Sequence, residues 1–336
     1  MSGSPGATKL NENGIPDFES LPLREGDPKY SAWGLYGDKD ELGTLNRLTD
    51  DRVAEAAKNE IKTGVRISLN WPLNAQKDSD SGFFNRKLFH QDLFAKPPRC
   101  VNDDKERLFY NGVTMEDIHE DGGSGVNGIQ AWAQKGIVGR GVLVDHHSWR
   151  LEQINKKQQP NQELDPRLVN FDHFATTPIP LGDIRACLES QGTEIKFGDI
   201  LFIRSGWIPK HQTLSLSSPA TLASHASHNP PSFCGLEPSP QLFKFLWSHF
   251  SAVAGDQPSL ECWPPLATRD PVNSGDQSSL HEVMLAGWRM PIGELFDLEA
   301  LARECRNRKR WSFFVTSEVV NVKGGVASPP NALAIF

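Results

Sequence analysis

The chain has 336 residues, 38% hydrophobic and 23% charged, a globular balance with length for one large domain or two ordinary ones. A formal charge of −7 and a pI near 5.8 argue against nucleic acid as a partner, which requires a basic face. No apolar run reaches the roughly 18 residues of a membrane helix, and residues 1–13 lack the apolar segment of a secretion signal, so no membrane partner and a cytoplasmic setting are expected.

Residues 1–29 carry Pro, Gly and charge with little periodicity, which predicts an extended N-terminal arm ahead of a single domain over 30–336. The first helix runs from Thr49 to Ile61. Thr49 can cap it, Asp50 and Asp51 suit its positive end, and Leu48 and Val53 stand at hydrophobic-staple spacing. A strand follows over Val65–Leu69. Val126–Lys135 reads as a helix, then glycine-spaced residues 136–141 lead to the strand Val142–Val144. Gly182–Ser190 reads as a helix stopped by Gly192, with Phe197-Gly198-Asp199 turning into the strand Ile200–Ile203. Residues 212–233, rich in Ser, Pro, Ala and His, read as a long exposed loop. Ser239 and Pro240 open a helix with Leu242, Phe243, Leu246 and Phe250 inward, and Ala252–Ala254 follows as strand. Leu298, Leu301, Ala302 and Cys305 mark one face of the last helix, and Trp311–Val322 reads as a long strand ended by Gly324-Gly325. Helix-then-strand units with nearly all-apolar strands predict an α/β fold, a sheet covered by helices.

Three places carry candidate chemistry. His281 opens a predicted helix to Trp288, and Glu294 lies just past the Met290-Pro291 turn. An imidazole and a carboxylate meeting at a sheet edge suit metal binding or acid–base work; the plain alternative is a capping His and a solvated Glu. Glu282 follows His281, but no second His stands four residues on, which excludes a metalloprotease helix. The turn Ala254-Gly255-Asp256-Gln257-Pro258-Ser259 ends an apolar strand, where open α/β sheets place ligands. There Asp256 could orient a His or hold a water, or simply cap the next segment. Asp145-His146-His147 also ends a strand, where adjacent side chains face opposite ways, so two ligands to one metal are awkward and packing is favoured. His211, His225 and His228 fall in the Ser/Pro-rich stretch and read as solvated. The cysteines Cys100, Cys187, Cys234, Cys262 and Cys305 stand singly, as reduced buried thiols do. No nucleophile elbow, P-loop or dinucleotide fingerprint is present. Arg306, Arg308, Lys309 and Arg310 complement a helix C-terminus.

Taken together, GIVGRGVLVD (136–145), GDILFIRSGW (198–207), AVAGDQPS (252–259), LHEVMLAGWRMPIGELFDLEAL (280–301), WSFFVTS (311–317) and GGVASPPNALAIF (324–336) resemble the cyclase family that includes bacterial kynurenine formamidase and isatin hydrolase, most closely its fungal members. The resemblance implies a swivelling β/β/α domain with a central mixed sheet flanked by helices, and usually a homodimer. It also implies divalent-metal-dependent hydrolysis of an amide, N-formyl or lactam C–N bond in a small-molecule substrate, with Zn or Mn as the ion. It maps two metal ligands onto His281 and Glu294, facing the Asp256 turn. A further ligand motif, H-x-G-T-H-x-D-x-P-x-H, belongs between Val101-Asn102-Asp103-Asp104 and Phe109-Tyr110-Asn111-Gly112, where this chain carries only Lys105-Glu106-Arg107-Leu108. His90, His119 and His147 are the histidines that could stand in for that motif, though nothing in their spacing supports it. Three readings follow: a hydrolase of this family with reduced or absent activity, a non-catalytic relative that binds a small molecule or protein through the same cleft, or, third, a full enzyme with a rewired site.

Overall fold

The computed structural model describes residues 9–71, 108–118, 125–156, 165–227, 231–264, 266 and 278–336. In chain order these form α1 (Asp50–Glu60), β1 (Arg66–Ser68), α2 (Met115–Ile118), α3 (Gln130–Lys135), β2 (Ile137–Val144), α4 (His146–Lys156), α5 (Pro166–Val169), β3 (Pro178–Ile179) and α6 (Leu181–Gln191). There follow β4 (Asp199–Ile203), α7 (Trp207–Ser217), α8 (Pro219–Ser227), β5 (Gly235–Leu236), α9 (Pro240–His249), β6 (Phe250–Gly255), β7 (Ile292–Gly293), α10 (Glu299–Arg308), β8 (Ser312–Ser317) and β9 (Leu333–Ile335).

Among the described residues the main sheet has seven strands in the order β1-β9-β8-β2-β4-β6-β7, and β3 pairs with β5 in a separate ribbon. The strands β2, β4, β6 and β7 run parallel, while β8, β9 and β1 continue the sheet antiparallel. The expected mixed sheet flanked by helices is what forms. Alternation explains why both faces are covered. Val142, Val144, Leu201, Ile203 and Val253 face one core with residues of α6 and α9, while Leu143, Ile200, Phe202, Ala252 and Ala254 face a second with α10, β8 and Phe336. Ile15, Phe18 and Leu21, ahead of α1, are buried in the first of these cores.

Local signals set several boundaries. The Thr49 hydroxyl accepts from the Arg52 N–H at the start of α1, Ser239 does the same for α9, and Gly192 ends α6 in the left-handed conformation. Glu60 closes α1 onto the sheet through Arg140 at 2.7 Å, Ser312 at 2.9 Å and Arg310 at 3.3 Å.

Four expectations are corrected. Residues 212–233 are not a loop: they carry most of α7 and all of α8. Pro219 sits in the first turn of α8, where its missing N–H costs nothing. Burial of Trp207, Ile208, His211 and Leu222 outweighs the weak helix propensity of the serines and threonine. The segment 126–129 is a turn, and α3 begins only at Gln130. Its backbone is tied elsewhere, with Arg289 donating to the Asn127 and Gly128 carbonyls at 3.2 Å each. The strand before Val144 starts at Ile137, through the glycines. Gly141 lies against the Phe313 ring, where an added Cβ would come within 2.4 Å. The strand from Trp311 stops at Ser317, because its pairing with β2 ends at Ile137–Ser317.

Candidate functional site

The parallel strands end on one edge of the sheet. There β2 leads into Asp145, β4 into Arg204-Ser205-Gly206, β6 into Asp256 and β7 into Glu294. Both candidate constellations sit on this edge, as expected for a parallel sheet.

On the β6–β7 side, the helix carrying His281 begins with a capping box. Glu282 accepts from the Ser279 N–H at 2.8 Å, and the Ser279 hydroxyl accepts from the Glu282 N–H at 3.1 Å. That box fixes the role of Glu282 and the direction of the neighbouring His281. The helix then widens to a π turn over Glu282–Gly287, a form frequent at functional sites. Glu294 is aimed from the opposite direction by the turn after β7. The Leu295 and Phe296 N–H groups donate back to Gln257 at 3.2 Å and Gly255 at 3.0 Å, and Leu295 takes φ 57° to make the turn.

These elements bring His281 and Glu294 together, with Nε2 and Oε1 3.2 Å apart. The other ring nitrogen, Nδ1, meets Glu261 Oε2 at 2.7 Å. Glu261 is fully buried and held in place by a parallel bridge to Leu236. Burial works against a charge on His281, but Glu261 and then Glu294 outweigh it and raise its pKa well above the ordinary histidine value. The sequence offers only a thin signal for Glu261: one acid inside the apolar run Leu260–Trp263.

Asp256 lies in the turn after β6 and is fully buried. Its Oδ1 accepts from the Ser205 N–H at 2.6 Å and the Ser205 hydroxyl at 2.7 Å, and its Oδ2 from the Gly206 N–H at 2.9 Å. Burial pushes its pKa up to about 6 against these donors. In this structure the carboxylate ties the end of β6 to the β4–α7 turn.

The histidines of the Asp145-His146-His147 step lie in the first turn of α4, not on the strand. His146 is almost fully buried, and His147 packs onto Gly206 and faces His173 with ring centroids 5.8 Å apart. Asp145 is paired with Arg204 at 2.7 Å. His211 is buried against Trp71 and Trp207, and His225 stacks on Phe174 at 4.7 Å, which corrects the expectation of solvation for both. Cys187, Cys234, Cys262 and Cys305 are buried and form no disulfide. Cys100, His90, His119, His228 and residues 101–107 lie outside the described residues.

Whether these side chains suit a divalent ion is a matter of geometry. Two ligand atoms of a tetrahedral shell with bonds of about 2.0–2.1 Å stand about 3.3 Å apart, and the His281–Glu294 separation matches. Glu261 on Nδ1 occupies the place of an outer carboxylate that orients a metal-binding imidazole. It sits across the ring from Glu294, so the three do not converge on one point. Among the described residues no group of three or more such side chains could hold a metal ion. The pair therefore fits as part of a shell, short of the usual complement of a catalytic zinc.

No family profile matches the chain, and no curated protein is significantly similar to it. Among solved structures it is similar to one described as a novel cyclase, at 24% identity and TM-score 0.66, covering 91% of this chain and 99% of that one. The fold is therefore cyclase-like. Two isatin hydrolase A structures also align, each at 13% identity. That from Ralstonia solanacearum has a TM-score of 0.39 and covers 66% of this chain and 68% of its own. That from Labrenzia aggregata, bound to benzyl benzoate, has a TM-score of 0.41 and covers 87% and 98%. At these scores neither bears on the site. No helix among the described residues is long and apolar enough to cross a membrane.

Proposed function

We propose that the chain is a cyclase-family hydrolase of an amide, N-formyl or lactam C–N bond, with His281 and Glu294 contributing to a divalent zinc or manganese site. The supporting observation is the line Glu261–His281–Glu294, with contacts of 2.7 Å and 3.2 Å, beside the edge of a cyclase-like sheet at which its parallel strands end. Such an ion, when bound, lowers the pKa of water and polarises a carbonyl. Glu261 accepts the hydrogen bond of Nδ1–H, and an ion would have to displace the Nε2 proton that the two carboxylates otherwise stabilise. Asp256 holds the neighbouring turn in register, and its role is positioning. An N-formylated arylamine of the kynurenine type is the first substrate to try, and the same reading carries a cytoplasmic homodimer. The second reading, a non-catalytic relative that binds a small molecule or a protein partner, is favoured by one observation, the incomplete shell among the described residues.

Metal content and turnover separate the two. Stoichiometric zinc or manganese in purified protein, lost on His281→Ala together with hydrolysis of N-formylkynurenine or isatin, is the expected result. Protein that carries no metal after incubation with either ion, and turns over neither substrate, overturns the hydrolase reading.

A further inference from the structure

A second recess lies on the β2–β4 side, between α4, the segment after α5, α7 and α8. Its volume is about 510 Å³, and Arg150, Phe171, His173, Phe174, Lys210 and His225 line it. None of these belongs to the His281 site. The polar groups at its base are buried and unsatisfied. Arg150 is only 6% exposed; one guanidinium nitrogen donates to the Leu168 carbonyl at 2.7 Å, while its Nε has no hydrogen-bond partner among the described residues. No ion pair to a carboxylate is formed by Arg150 among the described residues, and its guanidinium lies over the Phe171 ring at 4.9 Å. His173 is equally buried, and neither its Nε2 nor Nδ1 of the neighbouring His147 has a hydrogen-bond partner among the described residues. The one acid at the rim, Asp172, accepts from the Phe174 N–H at 2.9 Å.

A buried cation without a counterion is costly, and two neutral imidazoles beside it can each donate or accept as a ligand requires. An anion in the recess answers the two of these that line it, Arg150 and His173. The walls choose between anions: Phe171 and Phe174 with Val169 and Leu214 present apolar surface, which favours a compact apolar body over a strongly hydrated inorganic ion. We propose that this recess binds a small organic carboxylate, its head on Arg150 and His173 and its apolar body against Phe171 and Phe174. Arg150 and Lys210 supply positive charge to the recess, against the single carboxylate of Asp172 at its rim. Burial, then His147, Arg150, Lys210 and His146, all act to keep His173 uncharged, at a pKa of about 3.

The probe is sodium phenylacetate, with acetate and inorganic phosphate at matched ionic strength, followed by calorimetric titration at pH 7. Phenylacetate is expected to bind saturably, at least about tenfold more tightly than acetate or phosphate, and equally well after removal of metal by EDTA. Arg150→Met is expected to weaken it about tenfold or more, the value of a charge-assisted hydrogen bond. Lys210→Met and His225→Ala, at the rim, leave the fold intact and lower affinity by a smaller factor. In the wild-type protein the ring resonances of His173 should shift on addition of phenylacetate. Three results overturn the proposal: no saturable binding of phenylacetate to wild type, unchanged affinity in Arg150→Met and both rim variants, or tighter binding of phosphate than of phenylacetate. Loss of phenylacetate binding with EDTA would place the anion at the metal site instead, and would overturn it too.

Discussion

The two ends of the parallel edge solve the burial of polar groups in opposite ways. Around β6 and β7 the buried acids and the imidazole between them are paired within the protein: Glu261 with His281, His281 with Glu294, Asp256 with Ser205 and Gly206. Around β2 and β4 the same edge buries Arg150, His147 and His173 with nitrogen atoms left over. Ionisable groups paired with one another make a frame able to hold its geometry without a ligand; ionisable groups left with spare nitrogens make a place where a ligand adds what the fold lacks.

The contrast can be broken most forcefully at Glu261. Glu261→Ala removes one member of a buried ionic pair and strands the other, which is expected to cost about 3–5 kcal/mol in urea unfolding. A loss below about 1 kcal/mol would mean that the pairing is not what holds this side together. Gly206 joins the two regions, since its N–H meets Asp256 while its α-carbon lies under His147. With φ at +91° and an added Cβ only 2.1 Å from the ring, Gly206→Ala is expected to cost roughly 3 kcal/mol by the same measurement.

Titration sharpens the comparison on the unpaired side. Burial, followed by Arg204 for His147 and by His147 for His173, holds the two rings neutral, at pKa values of about 4 and about 3. The unfolded chain takes up these protons near pH 6.5, so acid favours unfolding. Stability from this pair is full above pH 6.5 and falls as pH drops toward 4, by up to about 1.4 kcal/mol per pH unit for each ring. Urea midpoints at pH 7, 6 and 5 measure the slope, and His173→Asn should flatten it; an equal slope in that variant would refute the assignment. The smallest effect is expected at Arg150. Arg150→Met gives up a hydrogen bond to Leu168 but also removes an uncompensated charge, so stability should change by no more than about 1 kcal/mol. A loss like that of Glu261→Ala would show that Arg150 has a partner outside the described residues.

How much of this was legible in the sequence depended on whether a signal was local. Caps and periodicity are local, and Thr49, Gly192, Ser239 and the Leu298–Cys305 face marked their helices within a residue or two. Where distant partners decide, local signals misled. Gly139 and Gly141 read as a spacer because nothing in the sequence shows the Phe313 ring across the sheet. Residues 212–233 read as loop because serine and proline content hides the buried anchors Trp207, Ile208, His211 and Leu222. The site divides the same way. The meeting of His281 with Glu294 followed from their placement at one sheet edge, whereas Glu261 reaches His281 only through its bridge to β5. The Arg150–His173 recess draws on α4 and the segment before β3 and has no sequence pattern of its own.

The order β1-β9-β8 also has a kinetic side. Arg66–Ser68 finds its partner only in Leu333–Ile335, nearly the whole described chain later. At about 5–20 residues per second, a ribosome takes on the order of tens of seconds to cover that interval. During synthesis β1 therefore waits as an unpaired edge while the parallel strands gather behind it. The seam beside β1 cannot close before β9 has emerged, so slowed translation over that interval is expected to prolong the time for which this margin is open to other strands.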